Sequence, residues 1–370
     1  MKSLKRILVR SPNWIGDQIL AYPFFYYLRA AYPSAHITAV CVSWVEAVQF
    51  RDCVDEVYVL PKLADRALKT KFNALETAAS ELKAKGEWDL GISLPNSFSA
   101  AWLLFRAGAK IRRGYSLDGR GLLLTDRVHW NKKSTCHRSQ AYIELLPGYP
   151  DISFNSKKIK KIIPAQEFWG ILPEDDLDPG VPGVIDSFDA SKAWPNSDPI
   201  EAPQRPYWVL APGSTAESRR WSEERFRTLA EQVAKERGWT GIIVGGPAES
   251  EVAERLAEDS SLKLEDWTAR GSVTSDWKVF KNAKFSICND SGLAHVASLC
   301  GSPVQVVWGA GNPNRTEPIG PGKVQVVMNP IDCWPCEQNF CSLPEGRKFE
   351  CLRGIEATRV WEEIKSGIKV

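Results

Sequence analysis

Three short stretches of this chain hold side chains able to act on a hydroxyl or a bound anion. Residues 11–18 read SPNWIGDQ and carry Asp17; residues 211–221 read APGSTAESRRW and carry Ser214, Thr215 and Arg219; residues 289–295 read NDSGLAH and carry Asp290, Ser291, Gly292 and His295. A carboxylate at an accessible turn can take a proton from a hydroxyl. A guanidinium beside small hydroxyl side chains can hold phosphate oxygens through charge-assisted hydrogen bonds. A Ser-Gly pair opening a helix aims backbone N–H groups and the positive end of the helix dipole at an anion. Each stretch also has a purely structural reading: Asp17, Asp290 and Ser291 are ordinary helix-start residues, Arg219-Arg220 can be a solvated basic turn, and His295 can face a core. Two anion-suited turns in the same half of the chain favour a nucleotide-diphosphate site.

A second group of residues suits an acceptor. Pro95-Asn96-Ser97-Phe98 follows an apolar run and opens an apolar helix, so Asn96 and Ser97 can bond sugar hydroxyls or cap that helix. The basic residues Arg106, Lys110, Arg112, Arg113 and Arg120 can meet an anionic acceptor or form a solvated face. Near the end, CWPCEQNFCSLPEGRKFEC spaces Cys333, Cys336, Cys341 and Cys351 closely. Four thiolates in so short a segment suit a structural zinc, two disulfides, or unligated thiols.

These residues need a scaffold, and the first half supplies alternating strands and helices. RILVR, HITAVCV, EVYVL, WDLGISLP and IRRGYS read as strands; helices are expected over 18–31, 44–50, 75–85 and in SFSAAWLLFRAG. Alternation lapses over 165–205, rich in Pro, Asp and Ser, and then restarts with YWVLAPGS, a helix over 222–237, TGIIVGGP, a helix over 249–258, KFSICNDSG, LAHVASLC, VQVVWGAG and a final amphipathic helix. Strands separated by helices of this length argue for parallel sheets. The expected class is α/β, with two facing Rossmann-like domains and a cleft between them: residues 1–180, a linker or insert at 181–205, and residues 206–354 with the cysteine-rich segment 333–351. In such sheets ligands sit beyond the carboxyl ends of the strands, where all three stretches lie.

Composition narrows the function. Forty-seven basic and 45 acidic residues leave a net charge of +2, which does not point to nucleic acid. The N-terminal apolar run is too short for a signal sequence, and no apolar segment approaches the ~20 residues that span a bilayer. The scattered thiols Cys41, Cys53, Cys136, Cys288 and Cys300 read as reduced core residues, so a cytoplasmic protein is expected. The first strand-to-helix turn has one glycine, Gly16, where a dinucleotide fingerprint needs three, and no phosphate-binding P-loop motif is present.

Taken together, SPNWIGD, LPNSFSAAWLLFRAGAKIRRGY, APGSTAESRRW, GGPAE and NDSGLAHVASLCGSPVQVVWG resemble the lipopolysaccharide heptosyltransferases of glycosyltransferase family 9, most of all the branch that adds the second heptose of the inner core. The resemblance implies a GT-B fold with an N-terminal acceptor lobe, a C-terminal nucleotide-sugar lobe, and a last helix, 355–370, returning toward the first lobe. It implies inverting, metal-independent transfer from ADP-heptose to a Kdo-lipid A core already bearing one heptose, at the cytoplasmic face of the inner membrane. No cofactor is then required for catalysis. Carried over by position, Asp17 is the catalytic base, with Gly16 allowing close approach and Trp14 shaping the wall of the acceptor site. Ser214, Thr215 and Arg219 contact the diphosphate or sugar, Glu249 approaches the ribose, and Asp290, Ser291, Gly292 and His295 line the donor site. The family often has lysine at Arg219, which keeps the charge and changes its reach. Another family 9 transferase using a different nucleotide sugar, a GT-B-shaped nucleotide-sugar epimerase, and a sugar-nucleotide binding module are the competing readings.

Overall fold

A computed structural model describes residues 4–63, 65, 67–130, 136–148, 182–368 and 370. They form two compact units, one comprising Met1–Val184 and Ser191–Trp194, the other Ile185–Ala190 and Pro195–Val370. Of the stretch 165–205 where alternation lapses, residues 165–181 lie outside the described residues. The remainder is divided by its bonds: Arg51 N–H donates to Ala193 O, whereas Ser275 Oγ donates to Ser197 O and Ile200 N–H to Ser275 O.

In the first unit six parallel strands run in the order β3-β2-β1-β4-β5-β6: β1 Arg6–Arg10, β2 His36–Cys41, β3 Glu56–Val59, β4 Leu90–Ser93, β5 Ile111–Tyr115 and β6 Asp126–Val128. The second unit repeats the pattern as β12-β11-β10-β7-β8-β9, from β7 Tyr207–Ala211, β8 Thr240–Ile243, β9 Leu264–Asp266, β10 Ser286–Asn289, β11 Val304–Trp308 and β12 Val324–Met328. Central strands are covered on both faces, which is why β1, β7 and β11 are near-continuous apolar runs. Edge strands β3, β6 and β12 are half-buried and admit charge or amide. In each sheet the strand order reverses once, between β1 and β4 and between β7 and β10. These are the topological switch points, where an open α/β sheet leaves a crevice beyond its strand ends.

Two expectations change. The helix expected over 18–31 starts at Ile15 and breaks at Ala21 into Ile15–Leu20 and Tyr22–Ala31. Pro23, in the first turn of the second piece, has no N–H to continue the first. The helix expected over 44–50 is a single 3₁₀ turn, Ser43–Val45. The C-terminal helix, Ala357–Glu363, packs within the second unit: Ala357, Val360, Trp361 and Ile364 form a stripe that joins Trp208, Phe226 and Val233 in its core. Trp221 Nε1 donates to Ile355 O at 3.0 Å, and Arg225 pairs with Glu356.

Candidate active site

Each switch point carries its own group of candidate residues. In the first unit, Ser11 N–H continues the sheet by donating to Val40 O at 2.9 Å. The buried Arg10 guanidinium braces the turn that follows, donating to Val40 O at 3.2 Å, to Ser11 O and to Asn13 Oδ1. Burial lowers its pKa to about 10, so it remains charged. Ser11 Oγ donates to Gln49 Oε1 at 3.0 Å. So anchored, the chain enters the helix at Ile15 with Trp14 as its N-cap residue and Asp17 in the first turn. Gly16 lies inside that helix.

Asp17 Oδ1 lies 3.7 Å from Arg138 Nε, brought there by the helix Arg138–Ile143. Trp14 is 60% exposed beside it, and Trp44, 59% exposed, donates from Nε1 to Asn13 O at 2.6 Å. Two indoles thus flank the carboxylate's turn, offering flat apolar surfaces of the kind that sugar rings stack on. Sequence reasoning missed Arg138 and Trp44. Trp44 had one signal, its place just after a strand; Arg138 had none.

After β4, Ser97 caps the helix Phe98–Arg106, its Oγ accepting from Ala100 N–H at 3.2 Å. Asn96 is exposed, and its carbonyl accepts from Arg120 Nη1 at 3.3 Å. The basic residues divide. Arg113 is only 2% exposed, paired with Asp126 at 2.8 Å and donating to Leu145 O and Glu144 O. Arg120 is equally buried, donating to Tyr115 O at 2.6 Å. Arg113 is an internal brace, its donors spent on the unit's own carbonyls and on the Asp126 carboxylate, whereas Arg120 keeps a buried Nη2 with no hydrogen-bond partner among the described residues. Arg112 is half-buried, bonded to Leu123 O and Ala109 O, with its guanidinium 5.4 Å from the Phe105 ring centre.

In the second unit, Asn289 at the end of β10 ties the two turns together. Its Nδ2 donates to Pro212 O at 2.6 Å, and its Oδ1 accepts from Trp221 N–H at 3.0 Å. Arg220 Nε donates to Ser214 O at 2.6 Å, so this arginine shapes the loop while its neighbour Arg219 pairs with Asp290 Oδ2 at 3.2 Å. Thr215 is exposed, and Ser214 Oγ donates to Asp290 O at 3.4 Å. Asp290 is 3% exposed, and burial, opposed by Arg219, pushes its pKa up to about 6. A side chain at Gly311 would strike Asp290 Oδ2 and Trp308 Nε1, so glycine there lets the loop after β11 close onto the carboxylate. Arg219 Nε, Ser291 Oγ and Trp308 Nε1 are buried with no hydrogen-bond partner among the described residues. Such groups cost free energy unless something bonds them, and three beside one carboxylate mark a polar ligand site.

Ser291 and Gly292 open the helix Gly292–Leu299, and His295 lies buried one turn on. Glu249 belongs to the same end of the unit: its carboxylate accepts from Gly246 N–H at 2.9 Å and packs so closely over Gly213 that a Cβ there would meet it. The second unit thus gathers Ser214, Arg219, Glu249, Asp290 and Ser291 around adjacent strand ends.

The cysteine-rich segment is bonded to the loop that carries Arg219. Ser218, next to Arg219, donates its N–H to Asn339 O at 3.1 Å and its hydroxyl to Gln338 O and accepts at its carbonyl from Ala310 N–H at 3.3 Å, while Glu337 N–H donates to Ala310 O at 2.9 Å. Cys333, Cys336, Cys341 and Cys351 line one cavity of about 20 Å³ together with Ser218 and Ala310. All four are free thiols, and burial raises the pKa of Cys333 and Cys351. Among the described residues no group of three or more His, Cys, Asp or Glu side chains is arranged to hold a metal ion. This arrangement gives the zinc reading no support.

Comparison with known proteins bears on this geometry. The profile of the family described as Glycosyltransferase family 9 (heptosyltransferase) matches residues 78–346. The lipooligosaccharide heptosyltransferase 2 of Haemophilus ducreyi is 25% identical over 339 residues, 88% of this chain and 89% of that protein. The lipopolysaccharide heptosyltransferase 2 of Escherichia coli K12 is 27% identical over 320 residues, 85% of each. Among solved structures, the ADP-heptose lipopolysaccharide heptosyltransferase II of E. coli superposes with a TM-score of 0.71 at 22% identity, covering 98% of both chains, and so shares the α/β fold.

Proposed function

The chain belongs to glycosyltransferase family 9, and on that premise we propose that it transfers a heptose from ADP-heptose to the lipopolysaccharide inner core, adding the second heptose to a lipid-borne core that carries the first. Donor binding falls to the second unit and acceptor activation to the first. Asp17 takes the proton of the acceptor hydroxyl as that oxygen attacks the anomeric carbon. The bond from that carbon to the diphosphate breaks on the opposite face, its electron pair leaving with ADP, so configuration inverts. Arg219 and the N-terminus of the helix Gly292–Leu299 offset the charge that grows on the diphosphate, a task for which fixed donors suffice without a metal. Glu249 takes the ribose hydroxyls, and Trp14 and Trp44 stack on acceptor sugars. The protein works at the cytoplasmic face of the inner membrane.

The observation that carries this reading is the Arg219–Asp290 pair at the second switch point, with buried polar atoms of Arg219, Ser291 and Trp308 left for a ligand to bond. The heptosyltransferase names of relatives aligned over most of the chain support the sugar and the acceptor. Incubation with a panel of nucleotide sugars and truncated cores, read by mass spectrometry, tests it. A core heavier by one heptose is expected. An isomerised donor, transfer of another sugar, or binding without turnover would each replace it with a competing reading.

A further inference from the structure

The first unit carries an exposed aromatic face that its own core does not explain. On the helix Leu68–Ala84, Leu68 and Phe72 stand one turn apart, 83% and 51% exposed. Phe72 meets Trp102 of the helix Phe98–Arg106 at 6.0 Å between ring centres; Trp102 stacks on Phe98 at 6.1 Å and tilts against Phe105 at 5.8 Å. Leu122, 86% exposed, extends the same face, because Arg112 links Phe105 to the 3₁₀ turn Arg120–Leu123 through its stack on the ring and its bond to Leu123 O. A contiguous apolar patch of this kind on a soluble unit marks an interaction surface.

Its charges select the partner. Lys69 and Lys71 flank Phe72, Arg106 lies 5.9 Å from the Trp102 ring centre, and Arg112 covers Phe105. Against these four cations stand Asp65 at the margin, Asp118, paired with Arg120 at 3.5 Å next to the Leu122 turn, and Glu76, whose carboxylate is held by Trp102 Nε1 at 2.6 Å and Arg106 at 2.7 Å. Aromatic rings and leucines ringed by cations match the boundary between acyl chains and anionic headgroups. A second copy of this chain would bring like charges together, which disfavours a self-paired face. We propose that this face docks on an anionic phospholipid bilayer. The patch runs directly into the candidate acceptor residues, since Phe98 follows Asn96-Ser97 and Arg120 binds the Asn96 carbonyl. Resting on the reading of a lipid-borne acceptor, docking here holds the first switch point at the membrane surface where that acceptor is anchored.

Flotation of the full chain with vesicles of phosphatidylcholine, with and without phosphatidylglycerol, tests this. The wild type should float with anionic vesicles and be released by salt. Leu68→Ser/Phe72→Ser/Leu122→Ser should lower the bound fraction about tenfold, and Lys69→Glu/Lys71→Glu should lower it on anionic vesicles only. Both variants should keep wild-type transfer to a deacylated, soluble core and lose transfer to the intact acceptor in vesicles. The soluble-core assay also serves as the folding control. Undiminished flotation of both variants would overturn the proposal, as would a wild-type dimer that the triple variant abolishes. Wild-type flotation without heptose transfer to either acceptor would sink the enzymatic reading and leave the surface standing.

Discussion

Arg219 Nη1 lies 3.2 Å from Asp290 Oδ2, joining the turn after β7 to the turn after β10 across the switch point of the second sheet. A buried carboxylate needs a cation beside it, so the pair holds the arginine in place as much as the reverse. Arg219→Ala should therefore weaken ADP binding by about 1.5–3 kcal/mol, the worth of a hydrogen bond to a charged group. Arg219→Lys should recover part of the loss, because charge returns without the fork geometry. Calorimetry with ADP alone reads both; equal affinity in all three proteins would remove Arg219 from the donor site.

Asp17 is held in the first turn of its helix, 3.7 Å from Arg138. Asp17→Asn keeps the shape and removes the base, so turnover should fall about 10²–10⁴-fold with ADP affinity unchanged. Arg138→Gln keeps the base and frees its orientation, and a loss of about tenfold in kcat is expected, since small misplacements of a catalytic group are costly. Near-normal transfer by a folded Asp17→Asn protein would end this assignment.

What the sequence made legible, and what it hid, follows from where the information resides. β1, β7 and β11 could be read because a strand buried on both faces is apolar along nearly its whole length. β6, DRV, and β9, LED, are three-residue edge strands whose charges defeat any periodicity. The turns at Asp17, Gly213 and Asp290 stood out because a strand hands over to a helix there. Arg112 and Arg113 part because adjacent residues of a strand point to opposite faces, and only the sheet decides which is inside. Arg138 reaches Asp17 across 121 residues of chain, a proximity that packing of the helix Arg138–Ile143 creates and no local pattern announces. The C-terminal helix showed its apolar stripe plainly but not which core would receive it.

The proposed leaving-group stabilisation uses Arg219 and a helix N-terminus, so transfer should survive EDTA at concentrations that strip magnesium and manganese. The four thiols around their shared cavity give the same expectation for the fold: the unfolding temperature should not move with chelator. Activity lost to EDTA and restored by magnesium would show that a metal bridges the diphosphate. A lowered unfolding temperature restored by zinc would show that the cysteine cluster binds one after all.

Asp276 supplies a pH-dependent term in the stability of the second unit. It precedes the helix Trp277–Asn282, is 8% exposed, and its Oδ1 is buried without a hydrogen-bond partner among the described residues. Burial, weakly opposed by Arg270, raises its pKa from 3.8 to about 7. The folded state therefore holds this proton where the unfolded state has released it. Between about pH 4 and pH 7 the contribution of this group falls as pH rises: it is fully present below the unfolded pKa and lost as pH passes the folded one. Asp276→Asn cannot ionise and should be more stable than the wild type above pH 7 by about 4 kcal/mol, with the difference shrinking to near zero toward pH 4. Urea unfolding of both proteins across that range measures it. A difference that stays constant with pH would mean that Asp276 remains ionised throughout, sustained by Arg270.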